Sequence, residues 1–179
     1  ARFWYRSSAR STADNASYER ALERYQNLAA GDSIEHNWTL ARAFIAHGDA
    51  GMALPHLERI LVRTPDDPQA WYFKAQAQSK LHEYDEARES LREAIRNAAS
   101  TPDFYVFLGH TYLYQGQVDQ ATEWYSQALR LDPDYSWALA SLAHARLQQG
   151  RYEEANILAQ NALSVDPNAA THALVSDVA

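Results

Sequence analysis

The chain resembles itself every 34 residues. From Pro68, PQAWYFKAQAQSKLHEYDEARESLREAIRN can be laid without a gap over PDFYVFLGHTYLYQGQVDQATEWYSQALRLDP from Pro102. The frame extends in both directions. Ala41, Ala75, Gly109 and Ala143 share one column, and Ala53, Ala87, Ala121 and Ala155 a second; Ile60, Ala94, Ala128 and Ala162 share a third, and Pro65, Ala99, Pro133 and Pro167 a fourth. A period of this kind marks a unit that cannot bury its apolar face alone and becomes stable only by stacking on copies of itself. Four units follow, 34–67, 68–101, 102–135 and 136–169.

Each unit reads as two helices. Gly48, Gly116 and Gly150 recur at the middle of the unit, where a residue with φ above zero ends a helix at little cost, and His82 takes that place in the second unit. The Ala and Gly columns let helix axes approach closely, and larger residues there would splay the stack. Pro55 is the exception to the pattern, since it lacks the amide that would bond to Gly51; a local distortion without function is expected there.

Both ends read as caps. SYERALERYQNLAAGD (17–32) places Tyr18, Ala21, Leu22, Tyr25 and Leu28 on one helical stripe, as the second helix of a degenerate repeat would. Residues 170–179 continue the phase as a first helix that stops early.

These columns resemble the tetratricopeptide repeat family, and the third unit, with Tyr105, Leu108, Gly109, Tyr112, Ala121, Tyr125, Ala128 and Pro133, is close to its consensus. Asn37 in place of a large apolar residue, Ile60 in place of Ala and Ala159 in the aromatic slot depart from it without disturbing the frame. The resemblance implies an all-α fold, a right-handed α-solenoid of antiparallel helix pairs. It also implies that the second, fifth, sixth, ninth, twelfth and thirteenth places of each unit line a concave groove. Among them are Trp38 and Arg42; Tyr72, Phe73 and Gln76; Val106, Phe107, His110, Leu113 and Tyr114; and Trp137 and His144.

A row of aromatics is therefore expected on one side of the first helices, of the residue types that dominate binding hot spots. Such a surface takes the apolar anchors of an extended segment or an amphipathic helix from a protein client. The alternative is that the rings fill the inner curve of the fold, or are covered by the chain's own terminus or a neighbour's. The family's known clamp for acidic chaperone tails is missing, because its places hold Trp38, Arg42, Phe73, Asp103 and Phe107, with a single cation. Arg42 is expected to stack on Tyr72 or to hold one carboxylate of a ligand.

Other chemistries find little support. A net charge of −7 without a basic block disfavours nucleic acid. Cys is absent, which removes disulfides, thiolate metal sites and thiol catalysis. No phosphate-cradling loop or nucleophile motif is present, so no enzyme activity, cofactor or metal is expected. His110 and His144 hold the ninth place of consecutive units, too far apart to share one metal ion, and a role in peptide contact or mild pH sensitivity is expected for them. His36, His47, His56, His82 and His172 fall near turns or helix ends and read as solvated. NAS at Asn15 and NWT at Asn37 match the glycosylation pattern, one that short sequences meet often by chance.

The opening ARFWYR sets three aromatics between arginines, and two readings stand: the flank of a membrane anchor lying upstream, or part of a capping helix. With an anchor, the chain would be similar to bacterial tetratricopeptide proteins tethered to the inner membrane that assist envelope assembly or cytochrome c maturation, which implies a periplasmic domain. Arg2, Arg6 and Arg10 instead favour a cytoplasmic one. Two function classes result: a peptide-binding adaptor or assembly factor, or a scaffold that forms homo-oligomers with its groove filled by a terminus.

Overall fold

The computed structural model describes residues 33–167. Among them are eight α-helices and no strand: α1 (Ile34–His47), α2 (Ala50–Arg63), α3 (Pro68–Lys80), α4 (Tyr84–Asn97), α5 (Pro102–Tyr114), α6 (Val118–Leu131), α7 (Ser136–Gln148) and α8 (Tyr152–Val165). The all-α solenoid class of helix pairs expected from the repeats is the one found. Each even-numbered helix starts 34 residues after the last. The expected capping segments, ARFWYR, Asn15 and His172 lie outside the described residues.

Local chemistry sets these boundaries. Ser33 Oγ accepts the His36 amide at 3.1 Å, and Asp67 Oδ1 accepts the amides of Gln69 and Ala70 at 2.9 and 3.3 Å. Pro68 and Pro102 open α3 and α5, where a helix has no use for an amide proton. All four first helices end in one device. Gly48, His82, Gly116 and Gly150 have φ of 101°, 65°, 75° and 74°. The amide after each reaches back five residues: Asp49 to Phe44 (2.9 Å), Glu83 to Gln78 (2.9 Å), Gln117 to Tyr112 (3.0 Å) and Arg151 to Arg146 (2.9 Å). These bonds satisfy carbonyls that a helix end otherwise leaves open, and they fold the second helix back onto the first.

The described residues divide into two units within α4, between Ser90 and Leu91. In the first, α2 packs against α1 and α3 around Leu40, Phe44, Ala53, Leu57 and Ile60. Gln78 of α3 accepts a buried hydrogen bond from Ser90 at 2.7 Å. In the second, α6 packs on α5 and α7, and α8 on α7, around Tyr105, Val106, Ala121, Tyr125, Ala128, Ala138 and Leu142. Every member of the three interior columns is buried; Ala41, Ala75, Ala143, the Ala53 column and the Ile60 column have no exposed surface at all. Ile60 is accommodated as fully as the alanines.

Helix α5 shows why a run as apolar as DFYVFLGHTYLY folds without a polar face. Phe104, Tyr105, Val106, Leu108, Gly109, His110 and Thr111 are all buried, because α6 covers one side of the helix and α7 another.

One expectation needs correction, that His56 is solvated. Pro55 sits inside α2, which runs from Ala50 to Arg63. Pro55 and Gly51 are both exposed, so water can satisfy the carbonyl that has lost its amide partner. His56 is not solvated. Its Nδ1 lies 2.9 Å from Asn37 Oδ1 and its ring stacks on Phe44 at 5.7 Å. Burial first, and then the charges of Arg59 and His36, lower its pKa.

Candidate interaction face

In the first unit, α1 contributes Trp38 and Arg42, and α3 contributes Tyr72, Phe73 and Gln76. Trp38 and Phe73 meet edge to face, with centroids 5.5 Å apart at 78°, and Phe73 meets Tyr72 in the same way at 6.0 Å and 75°. All three rings are half-buried, as is Gln76. The guanidinium of Arg42 lies 5.0 Å from the Trp38 centroid and 5.5 Å from that of Phe73. Its stacking partners are thus Trp38 and Phe73, instead of the expected Tyr72, because the edge-to-face pair sets two ring faces within its reach. An exposed cation in this position is worth about 0.5–1 kcal/mol.

In the second unit, α5 presents Phe107, His110, Leu113 and Tyr114, and α7 presents Trp137 and His144. His110 is the hub: its ring centroid lies 5.3 Å from Trp137, 5.5 Å from Tyr125, and 6.3 Å from both Phe107 and Tyr114. Its Nε2 lies 3.1 Å from Ser141 Oγ on α7. Burial, aided by His144, holds its pKa down at about 4, so the imidazole is neutral near pH 7. His110 is therefore a floor beneath the rings, and not a lining residue. Tyr114 is half exposed, while Phe107, Leu113, Trp137 and His144 are partly covered. His144 Nε2 bonds Gln148 at 2.8 Å.

Val106 corrects the sequence reading more fully. It has no exposed surface and belongs to the core with Tyr125 and Leu142, against which Trp137 and Leu113 also pack. A three-carbon side chain at the fifth place is overtopped by larger neighbours, whereas Trp38 at the same place in the first unit reaches beyond them.

Sequence reasoning missed two features. Asn37, 1% exposed, donates from Nδ2 to the Ser33 carbonyl at 3.0 Å and meets His56 through Oδ1. Its side chain is therefore enclosed in the fold, and the NWT match marks no accessible acceptor. An Asn where the other three repeats hold Trp71, Tyr105 and Leu139, with a His 19 residues on, was the available signal. The second feature is Asp103, whose Oδ1 accepts a 2.7 Å hydrogen bond from the Tyr135 hydroxyl and so ties the start of α5 to the approach of α7. Among the described residues, no group of three His, Asp or Glu is placed to hold a metal, and no helix is long and apolar enough to cross a membrane.

Family models described as tetratricopeptide repeat match residues 38–102 and 138–171, and one described as TPR repeat matches 109–150. The chain is a tetratricopeptide-repeat protein. It is 30% identical over 98 residues to the DnaJ homolog subfamily C member 7 homolog of Schizosaccharomyces pombe; the match takes in 52% of this chain but 21% of that protein, so the chain spans about a fifth of its relative's length. In fold it is similar to TTC0263, a thermophilic TPR protein of Thermus thermophilus, with a TM-score of 0.77, 22% identity, and coverage of 93% of this chain and 92% of the other. It is also similar to the first TPR of Spaghetti (RPAP3) bound to the HSP90 peptide SRMEEVD, with a TM-score of 0.58, 19% identity, and coverage of 62% and 89%.

Proposed function

We propose that this tetratricopeptide-repeat protein is a non-catalytic interaction module. Its first helices hold an apolar segment of a client protein, as an adaptor or assembly factor would. The observation that carries this reading is the incompletely covered row Phe107, Tyr114 and Trp137, standing on a buried neutral His110. Rings fixed by their neighbours lose little entropy on binding and offer large contact areas. Peptide capture by the Spaghetti repeat supports the general mode. The ligand differs, since the places that grip an acidic tail here hold Trp38, Phe73 and Phe107 with Arg42 as their one cation.

The test uses the full chain and a panel of labelled synthetic peptides, extended and helical, bearing Leu, Phe or Trp anchors. Phe107→Ala with Tyr114→Ala should weaken the best binder about tenfold or more. The melting temperature should change little, because both side chains reach solvent. If no anchored peptide binds, or the double variant binds as well as the parent, the reading fails.

A further inference from the structure

We propose that the segment held by the second unit carries a Lys or Arg next to its apolar anchor, opposite in charge to an acidic tail. This rests on the interaction reading above and adds the chemistry of the occupant. The first unit supplies the starting point, since its aromatic pair Trp38 and Phe73 is already capped by a cation of its own, Arg42, at the ninth place. In the second unit the ninth place of α5 is His110, which is buried beneath the rings. Helix α5 has no Lys or Arg anywhere in its length. The only one on α7, Arg146, is engaged with Gln149 at 2.8 Å and Glu154 at 3.4 Å. Neither helix therefore brings a cation to the place that Arg42 takes in the first unit.

A carboxylate stands at the end of the row formed by Phe107, Tyr114 and Trp137. Asp103 lies one helical turn before Phe107, on the same side of α5. The Tyr135 hydroxyl holds it at 2.7 Å, and the Tyr135 ring is 6.4 Å from that of Trp137. An anion held by the Tyr135 hydroxyl one helical turn before Phe107 suits a guanidinium or ammonium group, which can stack on a ring while pairing with the carboxylate. A glutamate in the same place would meet Asp103 and the negative faces of the rings, and would be repelled by both. The surrounding charge agrees: from Leu91 to Pro167 the chain has five Arg and no Lys against nine Asp and Glu, a net of −4.

The chain itself offers a test sequence in Arg2–Arg6, RFWYR. Three synthetic peptides that differ only in the flanking residues, RFWYR, QFWYQ and EFWYE, each blocked at both ends, would be titrated into the full chain and followed by fluorescence anisotropy. The Arg peptide is expected to bind about tenfold tighter than the Glu peptide, with the Gln peptide between them. The gap should narrow as NaCl is raised to about 0.5 M. Asp103→Asn keeps an acceptor for the Tyr135 hydroxyl and so preserves the fold; it should erase the preference of the Arg peptide over the Glu peptide. Equal binding of the three peptides, tighter binding of the Glu peptide, or an unchanged preference in D103N would overturn the inference and leave the interaction reading standing. Failure of all three to bind, together with the wider anchored panel, would remove both.

Discussion

Gly109 and Tyr125 share one space: a methyl group placed on Gly109 would lie 2.4 Å from Cε1 of Tyr125 and 3.0 Å from its Cζ. The ring has no exposed surface, and its hydroxyl is buried without a hydrogen-bond partner, so burial pushes the phenol pKa up. Gly109→Ala should therefore cost about 1–3 kcal/mol through overpacking. The first two units solve the same geometry with Ala41 and Ala75 in the Gly109 column and Leu57 and Leu91 in the Tyr125 column. G109A should accordingly cost much less in a Tyr125→Leu background, a coupling that urea denaturation of the four variants would measure. Tyr125→Phe, which removes only the unpartnered hydroxyl, should leave stability unchanged or raise it by up to about 1 kcal/mol.

His110 makes the second unit sensitive to acid. Its folded pKa of about 4 lies below the ordinary 6.5, chiefly through burial and then through His144. A histidine held neutral in the fold contributes stability above its unfolded pKa, and that contribution is lost as pH falls from 6.5 toward 4. The loss should be on the order of 3 kcal/mol. Denaturation midpoints across this window should fall in the parent and flatten in His110→Gln; an equal slope in both would place the acid sensitivity elsewhere.

His82 does with a side chain what Gly48, Gly116 and Gly150 do without one, at a φ of 65°. Its compensation is an exposed hydrogen bond between Nδ1 and the Tyr84 hydroxyl at 2.8 Å. His82→Gly should therefore stabilise the chain by roughly 0.5 kcal/mol, the relief of left-handed strain exceeding a solvent-exposed contact and the added backbone entropy. His82→Ala should destabilise it, and thermal melts of both variants would check the sign.

Asn37 and His56 answer each other's polar groups in the first unit. Asn37→Leu should cost about 1–3 kcal/mol by leaving the partly buried His56 imidazole without its side-chain partner, while the Ser33 carbonyl keeps the backbone amide of residue 37. Adding His56→Leu should recover part of that cost, and chemical denaturation of the single and double variants would show whether the pair acts as a unit.

The helix plan was legible because it is written in residues that act locally. The left-handed turn residues, the prolines that open α3 and α5, and the interior Ala and Gly columns each constrain the backbone or the axial distance directly, and all recur in phase. The candidate face was legible only in outline. The ninth place holds Arg42 in one unit and His110 in another, and the first lies over two rings while the second is buried among four. Periodicity assigns both to one side of a helix and is silent on depth.

By itself, then, the sequence determined the repeat, the order and lengths of the helices, and which positions had to be small, since these follow from contacts within a few turns of chain. Tertiary packing alone decided that Val106 is covered while Tyr114 is half bare, that Arg42 rests on Trp38 and Phe73, and that His110 stays uncharged. Depth and protonation depend on how much neighbouring side chains remove from water. That quantity is a sum over residues far apart in the chain, and no local pattern records it.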